Sequence, residues 1–473
     1  MTSDPTLPCP LDAAAARRPN ALFLLRADGS PVRYAGTAAT AGRLAGVLKK
    51  RWNVCEGDRV ALLTPTTPEL PALWFALFRI GAVVCPINLR LPVAAVRERL
   101  DLLNPAMVVG GAEGPALADI CAAAEGGGAL DERARLDPNR PATVVFTSGS
   151  SGRPKAVVHT LGNHLRSAEA SNAHAPLGEE DRWLLSLPLY HVGGLAVLFR
   201  CVLAGASVVL PGSDAEPTGT IQSRGVTHLS LVPTQLQRLL AAGISGSDVP
   251  SLKRILLGGG PIPRDLVRCA LRRDLPVAAS YGMTETASQV AAVPPDADSG
   301  VACDTDGTVL PHSEIRISEK GEIQVRGGSV SPGVWRRGRV QSFTDDDGWL
   351  STGDRGRLEE HGGLVVEGRC DRMFISGGEN IQPEEIEREL SRIIGGGAVV
   401  VPVEDEVFGM RPAAWVDAPV TDGNVDAWRA ALRSRLPGYM IPVRFRRFPE
   451  ERTGLKPDLE QLRRRMAAPG DPS

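Results

Sequence analysis

The sequence predicts an α/β protein: a large N-terminal domain of layered α/β subdomains plus a small β-rich subdomain, followed by a small mobile α+β C-terminal domain. Three observations predict it. The chain has 473 residues, more than one hydrophobic core sustains. From Ala13 to about Leu275, helix-like segments alternate with short Val/Leu/Ile runs, the texture of a sheet covered by helices. After about Gly300 short strands with glycine turns take over, and a compact unit of ordinary domain size closes the chain.

The apolar runs come in order. RVALLT (59–64), AVVCPI (82–87), MVVG (107–110), TVVF (143–146), ASVVLP (206–211), THLSLV (227–232) and RILLGG (254–259) read as buried strands. Between them, 233–242 and 263–273 read as helices with Pro in the first turn. EIRIS (314–318), EIQVRG (322–327) and GLVVEGR (363–369) read as strands of the β-rich subdomain. The C-terminal unit reads as helix 383–393, strands 398–403 and 413–417, helix 425–436, strand 443–448 and a last helix from Pro457. The expected division is 1–370 and 371–473.

Composition excludes several classes. A net charge of -2 gives no electrostatic reason for nucleic acid or an anionic membrane as partner. The arginine crowd Arg433, Arg435, Arg444, Arg446 and Arg447 reads as a solvated face. Eight scattered cysteines form no CxxC pair, which disfavours zinc and fits a reduced, cytoplasmic setting. The first residues lack the pattern of a signal peptide. The most apolar window, 73–89, is broken by Arg79 and Pro86, so stable membrane insertion is not expected. Oligomeric state, a homodimer included, is left open.

Only six lysines occur among 53 basic residues, so each is informative. Lys155 closes the segment TVVFTSGSSGRPKAVVHT (143–160). A β-branched strand enters Thr147, Ser148, Gly149, Ser150, Ser151 and Gly152, where glycines let amide N–H groups converge on an anion. The hydroxyls add donors and Lys155 a point charge. The GxxxxGK pattern of P-loop NTPases is absent.

This segment resembles the phosphate-binding signature of the adenylate-forming superfamily: acyl- and aryl-CoA synthetases, luciferases and peptide-synthetase adenylation domains. Ser280-Tyr281-Gly282-Met283-Thr284-Glu285 resembles the second signature. The resemblance implies that Tyr281 stacks on adenine, with Gly282 also in the cofactor site, that Thr284 approaches the α-phosphate, and that Glu285 helps hold a Mg2+ ion. GWLSTGD (348–354) resembles the third, implying that Asp354 and Arg369 hold the ribose. Asp371 falls at the family's interdomain hinge, and Gly377 and Gly378 at its thiol-tunnel loop. Arg452-Thr453-Gly454-Leu455-Lys456 resembles the C-terminal catalytic lysine motif, with Leu455 intervening between Gly and Lys. The implied cofactors are ATP, Mg2+ and coenzyme A. The implied reaction is acyl-adenylate formation followed by acyl-CoA formation.

Local wording narrows the branch. PLYHVGG (188–194), HLSLVPTQ (228–235), PKAVVHT (154–160), ISGGENIQPEE (375–385) and FGMRP (408–412) resemble the o-succinylbenzoate–CoA ligases of menaquinone biosynthesis. That implies an aryl carboxylate substrate, 2-succinylbenzoate, with His191, Ser230, Thr234, Gly258 and Gly259 lining its pocket. Arg200 lies on an apolar helical stretch, LAVLFRCVL. Its charge needs a partner, and the substrate's second carboxylate is one candidate. Snorkelling to the surface is the other. Another aryl- or acyl-CoA ligase and a catalytically silent nucleotide-binding module remain alternatives.

Overall fold

The computed structural model describes residues 6–126, 128, 135–148, 154–212, 217–297, 299–360, 362–376, 379–449 and 458–467. The chain forms two compact units. One comprises Met1–Ile315, Gln324–Leu350 and Glu359–Leu364; the other comprises Arg316–Ile323, Ser351–Leu358 and Val365–Ser473.

The first unit carries two large sheets. One runs Thr308–Val309, Gln289–Ala292, Val277–Gly282, Arg254–Leu257, His228–Leu231, Arg182–Leu184, Ser207–Val209, Leu22–Leu25, Pro31–Arg33. Its strands from Val277–Gly282 to Leu22–Leu25 are all parallel, and both edges are antiparallel. The other runs Arg339–Gln341, Gly333–Arg336, Pro154–Thr160, Pro141–Ser148, Val83–Pro86, Arg59–Leu63, Met107–Gly110. Every residue of Val83–Pro86 and of Arg254–Leu257 is buried, as strands covered on both faces require.

The most apolar window forms the buried helix Leu70–Ile80 and the following strand, with Gly81 in the left-handed region (φ 81°) closing the helix. Arg79, which interrupts it, is ion-paired to Asp12. No described helix is long and apolar enough to cross a membrane.

Phe23, Tyr34, Trp74, Phe75, Phe78 and Phe199 meet in the main core. Phe75 and Phe199 pack edge-on with ring centroids 6.3 Å apart. Each such ring contributes about 1.5–3 kcal/mol by leaving water. The buried Tyr34 hydroxyl shares its proton between the carbonyls of Cys201 (2.9 Å) and Ala206 (2.8 Å). That bond pins the C-terminal end of helix Val192–Ala204, which carries Arg200.

The apolar run at 143–146 is the strand expected, extended to Pro141–Ser148 and paired antiparallel with Pro154–Thr160, Thr147 opposite Lys155. The β-branched VVHT run makes the partner strand, and Pro154 is tolerated at its first residue. The helix expected at 425–436 is Asp422–Arg433, because the Thr421 side chain accepts the Asn424 N–H and caps it earlier.

The expected β-rich region forms a four-stranded sheet in the order Ser313–Ile317, Glu322–Gly327, Leu350–Leu358, Leu364–Arg369. Compactness groups 316–323, 351–358 and 365–369 with the C-terminal segment. Asp371 follows in the tight turn Cys370–Arg372. The second unit also holds a sheet ordered Glu379–Ile381, Phe374–Ser376, Gly409–Val416, Ala398–Asp405, with Arg444–Arg447 parallel to Gly409–Val416. Helices Pro383–Ile394 and Asp422–Arg433 pack Ile386, Leu390, Trp428 and Leu432 into its core. Glu384 and Glu385 favour the first turn of the former helix, and both Glu384 (2.8 Å) and Glu387 (2.6 Å) bind Arg372.

Candidate active site

Side chains alternate along strand Pro154–Thr160, so Lys155, Val157 and His159 share one face. Two of them reach the turn after strand Val277–Gly282. Lys155 Nζ lies 2.7 Å from Glu285 Oε1 and 4.9 Å from the centre of the Phe343 ring. His159 Nε2 lies 2.6 Å from the Thr284 carbonyl oxygen. The turn is held tightly. Ser331 N–H donates to the Glu285 carbonyl (2.8 Å), Thr286 Oγ1 to that of Ser288 (2.7 Å), and Ala287 sits at φ 57°.

Lys155 and Glu285 thus neutralise each other. An ammonium is a group that phosphate can take up, and a carboxylate one that a hard cation can. Among the described residues no group of three His, Cys, Asp or Glu could hold a metal unaided. One carboxylate beside incoming phosphates is the donor set that Mg2+ takes, so Glu285 fits that ion.

Tyr281 is buried at the end of strand Val277–Gly282. Glycine is required beside it: a Cβ on Gly282 would meet the Ser288 carbonyl oxygen at 2.2 Å. Gly258 follows strand Arg254–Leu257, where a Cβ would meet Ser280 Oγ at 2.8 Å. Gly259 takes φ 82°. These turns lie at the carboxyl ends of neighbouring parallel strands, where α/β sheets bind ligands.

His191 is exposed and precedes helix Val192–Ala204; Thr234 is exposed in the first turn of helix Pro233–Ala241. Ser230 is buried and accepts the Trp183 Nε1–H at 3.1 Å. The guanidinium of Arg200 lies 5.2 Å from the ring of that same Trp183. Arg200 is 1% exposed, so snorkelling is overturned: the helix faces inward and Tyr34 fixes it there. Its Nη2 donates to Ser288 Oγ (3.0 Å), its Nε has no partner, and no described carboxylate pairs with it. Burial lowers its pKa to about 10, and a second buried arginine, Arg254, is lowered likewise.

In the second unit, Asp354 and Arg369 come together. Arg369 Nη1 lies 3.2 Å from Asp354 Oδ1 and donates to the Thr352 carbonyl at 3.1 Å. Its other edge grips both Asp371 oxygens at 3.1 and 3.0 Å. This bidentate pair holds the Asp371 carboxyl below the usual range. Gly353 takes φ 73°, and a Cβ there would meet Arg369 Nη2 at 2.8 Å. Thr147 is the next-to-last residue of strand Pro141–Ser148; the side chain of Ser148 and all of Gly149, Ser150, Ser151, Gly152, Gly377, Gly378 and Lys456 lie outside the described residues.

Sequence reasoning missed His159, Phe343, Trp183 and Ser288. The period-two spacing of Lys155 and His159 was a usable signal; the other three approach from distant segments and left none.

Three buried histidines make stability pH-dependent. Burial, the largest cause, pushes His159 and His228 down to about 4 and His164 well below its usual value. Between their ordinary pKa near ~6.5 and about 4, the unfolded chain binds protons that the folded chain refuses. Their contribution is complete above that window and is lost as pH falls through it. The urea midpoint is expected to drop steadily from about pH 7 to about pH 5. An unchanged midpoint would contradict neutral burial of these rings.

A phosphate-type hairpin, a Tyr-Gly-x-Thr-Glu turn on a parallel sheet and an Asp–Arg pair on a smaller unit define an adenylate-forming enzyme. The chain belongs to the AMP-binding enzyme family, whose model matches residues 11–335. By class it is an AMP-forming acid–thiol ligase. The 2-succinylbenzoate–CoA ligase of Salmonella typhimurium is 39% identical over 405 residues, covering 84% of each chain. That of Escherichia coli is 39% identical over 403 residues, covering 84% of this chain and 85% of the other. The o-succinylbenzoate CoA synthetase (MenE) of Bacillus subtilis, solved with the acyl-adenylate intermediate OSB-AMP, superposes with a TM-score of 0.88 at 29% identity over 99% of both chains. The same enzyme with ATP and magnesium ion gives 0.84 at 30% identity, covering 94% of this chain and 96% of the other.

Proposed function

We propose that the acid this ligase activates is 2-succinylbenzoate, which it joins to coenzyme A through an acyl-adenylate. The observation that carries the reading is Arg200: a fully buried cation with an unpartnered Nε and no described carboxylate beside it. An uncompensated buried charge is costly, and a second carboxylate on the acid would offset that cost. A plain aryl acid, with only its reacting carboxylate, would leave Arg200 unpaired. The relatives named for 2-succinylbenzoate support the same choice.

In the first half-reaction the acid's carboxylate attacks the α-phosphorus of ATP and pyrophosphate leaves. Two anions must meet, so positioning and charge neutralisation dominate. Lys155, Thr147 and the hydroxyls of Ser148, Ser150 and Ser151 hold the phosphates beside Gly149 and Gly152. Tyr281 and Gly282 border adenine, Thr284 contacts the α-phosphate, and Asp354 with Arg369 holds the ribose. Glu285 would hold Mg2+, which supplies positive charge against the phosphate oxygens. His191, Ser230, Thr234, Gly258 and Gly259 line the acyl side. Lys456 neutralises the charge developing between carboxylate and phosphate. In the second half-reaction the thiol of coenzyme A attacks the mixed anhydride and AMP leaves, with Asp371 as hinge and Gly377 and Gly378 lining the thiol's path. Eight free cysteines agree with the cytoplasm as the place of work.

The test is CoA ligation with 2-succinylbenzoate beside plain benzoate, each with pyrophosphate release measured. Turnover of 2-succinylbenzoate should exceed that of benzoate by far. Equal turnover would move the chain to a general aryl-CoA ligase. No pyrophosphate release with any acid would leave a silent nucleotide-binding module.

A further inference from the structure

Strand Pro154–Thr160 touches the Thr284–Glu285 turn twice. The contact through Lys155 cannot survive the proposed reaction, because phosphate takes up the ammonium and the metal takes up the carboxylate. The contact through His159 can survive it, since no reacting group competes for the Thr284 carbonyl.

The proton positions in that second contact follow from chemistry. A carbonyl only accepts, so His159 Nε2 carries a proton. The ring is fully buried and neutral, so Nδ1 is bare and accepts. The donor facing it is the Thr143 hydroxyl, at 3.2 Å. Thr143 Oγ1 then accepts in turn from Nε2–H of His164, at 2.9 Å. His164 is stacked on Phe199, with centroids 4.8 Å apart and planes 5° from parallel. One directed chain therefore runs from His164 through Thr143 and His159 to Thr284. It crosses helix Leu161–His174, strand Pro141–Ser148 and strand Pro154–Thr160, each of them part of the packed first unit. Thr143, His159 and His164 are buried, so no water competes for the bonds among them, and Thr284 at the end of the chain is half-buried.

We propose that His159 is a positioning residue for adenylation: its Nε2–H, set by Thr143 and His164, keeps the Thr284–Glu285 turn in its phosphate- and metal-binding shape once Lys155 has left Glu285. The inference rests on the adenylate-forming reading of this turn.

Two measurements on the full chain test it. Long-range proton–nitrogen NMR correlations on histidine-labelled protein should show His159 as the Nε2–H tautomer at neutral pH. An Nδ1–H tautomer or a charged ring would overturn the chain. ATP–pyrophosphate exchange then compares two polar replacements of one size class. Gln in His159→Gln can place an amide N–H near the Nε2 position, whereas the shorter side chain of His159→Asn cannot reach Thr284. His159→Asn should raise KM for magnesium-ATP roughly tenfold while KM for the acid stays within about twofold, and His159→Gln should recover most of the loss. Equal losses in both variants, or equal shifts in both KM values, would mean that His159 serves packing alone. Wild-type protein in the same assay separates the two readings. No exchange there would defeat the functional reading, while the tautomer result would still judge the hydrogen-bond chain.

Discussion

Lys456→Ala is expected to abolish most adenylation while sparing the thiol step. Carboxylate and α-phosphate are both anions, and negative charge concentrates on the bridging and non-bridging oxygens as they join. A single ammonium aimed at those oxygens acts on the transition state more than on the bound reactants. Removing one such donor costs roughly a hundred- to a thousandfold in rate. In the thiol step the phosphate becomes the leaving group with its charge already settled, and an ammonium bridging acid and phosphate is no longer needed. Lys456 is the only lysine after Lys320, so no neighbour of its kind can substitute. The check is to run both halves apart: pyrophosphate exchange for the first, and CoA capture of chemically prepared acyl-adenylate for the second. Equal losses would assign Lys456 to folding or to both steps, against the division proposed.

Arg200→Leu is the second large effect. If Arg200 pairs with the acid's second carboxylate, its removal strands that carboxylate in a buried site. Truncating one partner of a buried charge pair costs about 2–5 kcal/mol, or roughly a 30-fold or greater rise in KM for 2-succinylbenzoate. KM for ATP should hardly move. Stability supplies an independent reading. In the free protein Arg200 has one hydroxyl acceptor and an indole face, and its charge is uncompensated. Leucine at this place loses little and removes a desolvated cation, so the melting temperature should stay within about 3 °C of wild type or rise. A large fall in melting temperature with parallel losses in both KM values would make Arg200 structural instead.

The two sides of the site differ in how far they could be read from the chain alone. Lys155 stood out by residue type and by the Gly/Ser segment before it; Tyr281, Thr284, Glu285, Asp354 and Arg369 stood out through short motifs that resemble the family's signatures. Folding brings Lys155 to Glu285 across 130 residues and Arg369 to Asp354 across 15. Arg200 was legible only as an anomaly, a charge in an apolar helix. Whether it turned inward depended on Tyr34, Trp183 and Ser288, none of which lies near it in sequence. His159 was quoted within a motif but had no visible task until strand and turn were packed together.

Local chemistry written along the chain therefore determined the layered α/β architecture, the nucleotide-binding turns and the class of reaction. Strand periodicity, turn glycines and donor types act over a few residues and need no partner to be recognised. Tertiary packing alone decided that Arg200 is a buried cation, that Glu285 rests on Lys155 and that His159 is buried against the Thr284 carbonyl. Those states depend on desolvation and on donors arriving from distant segments, and neither exists until the sheets and helices have closed around them.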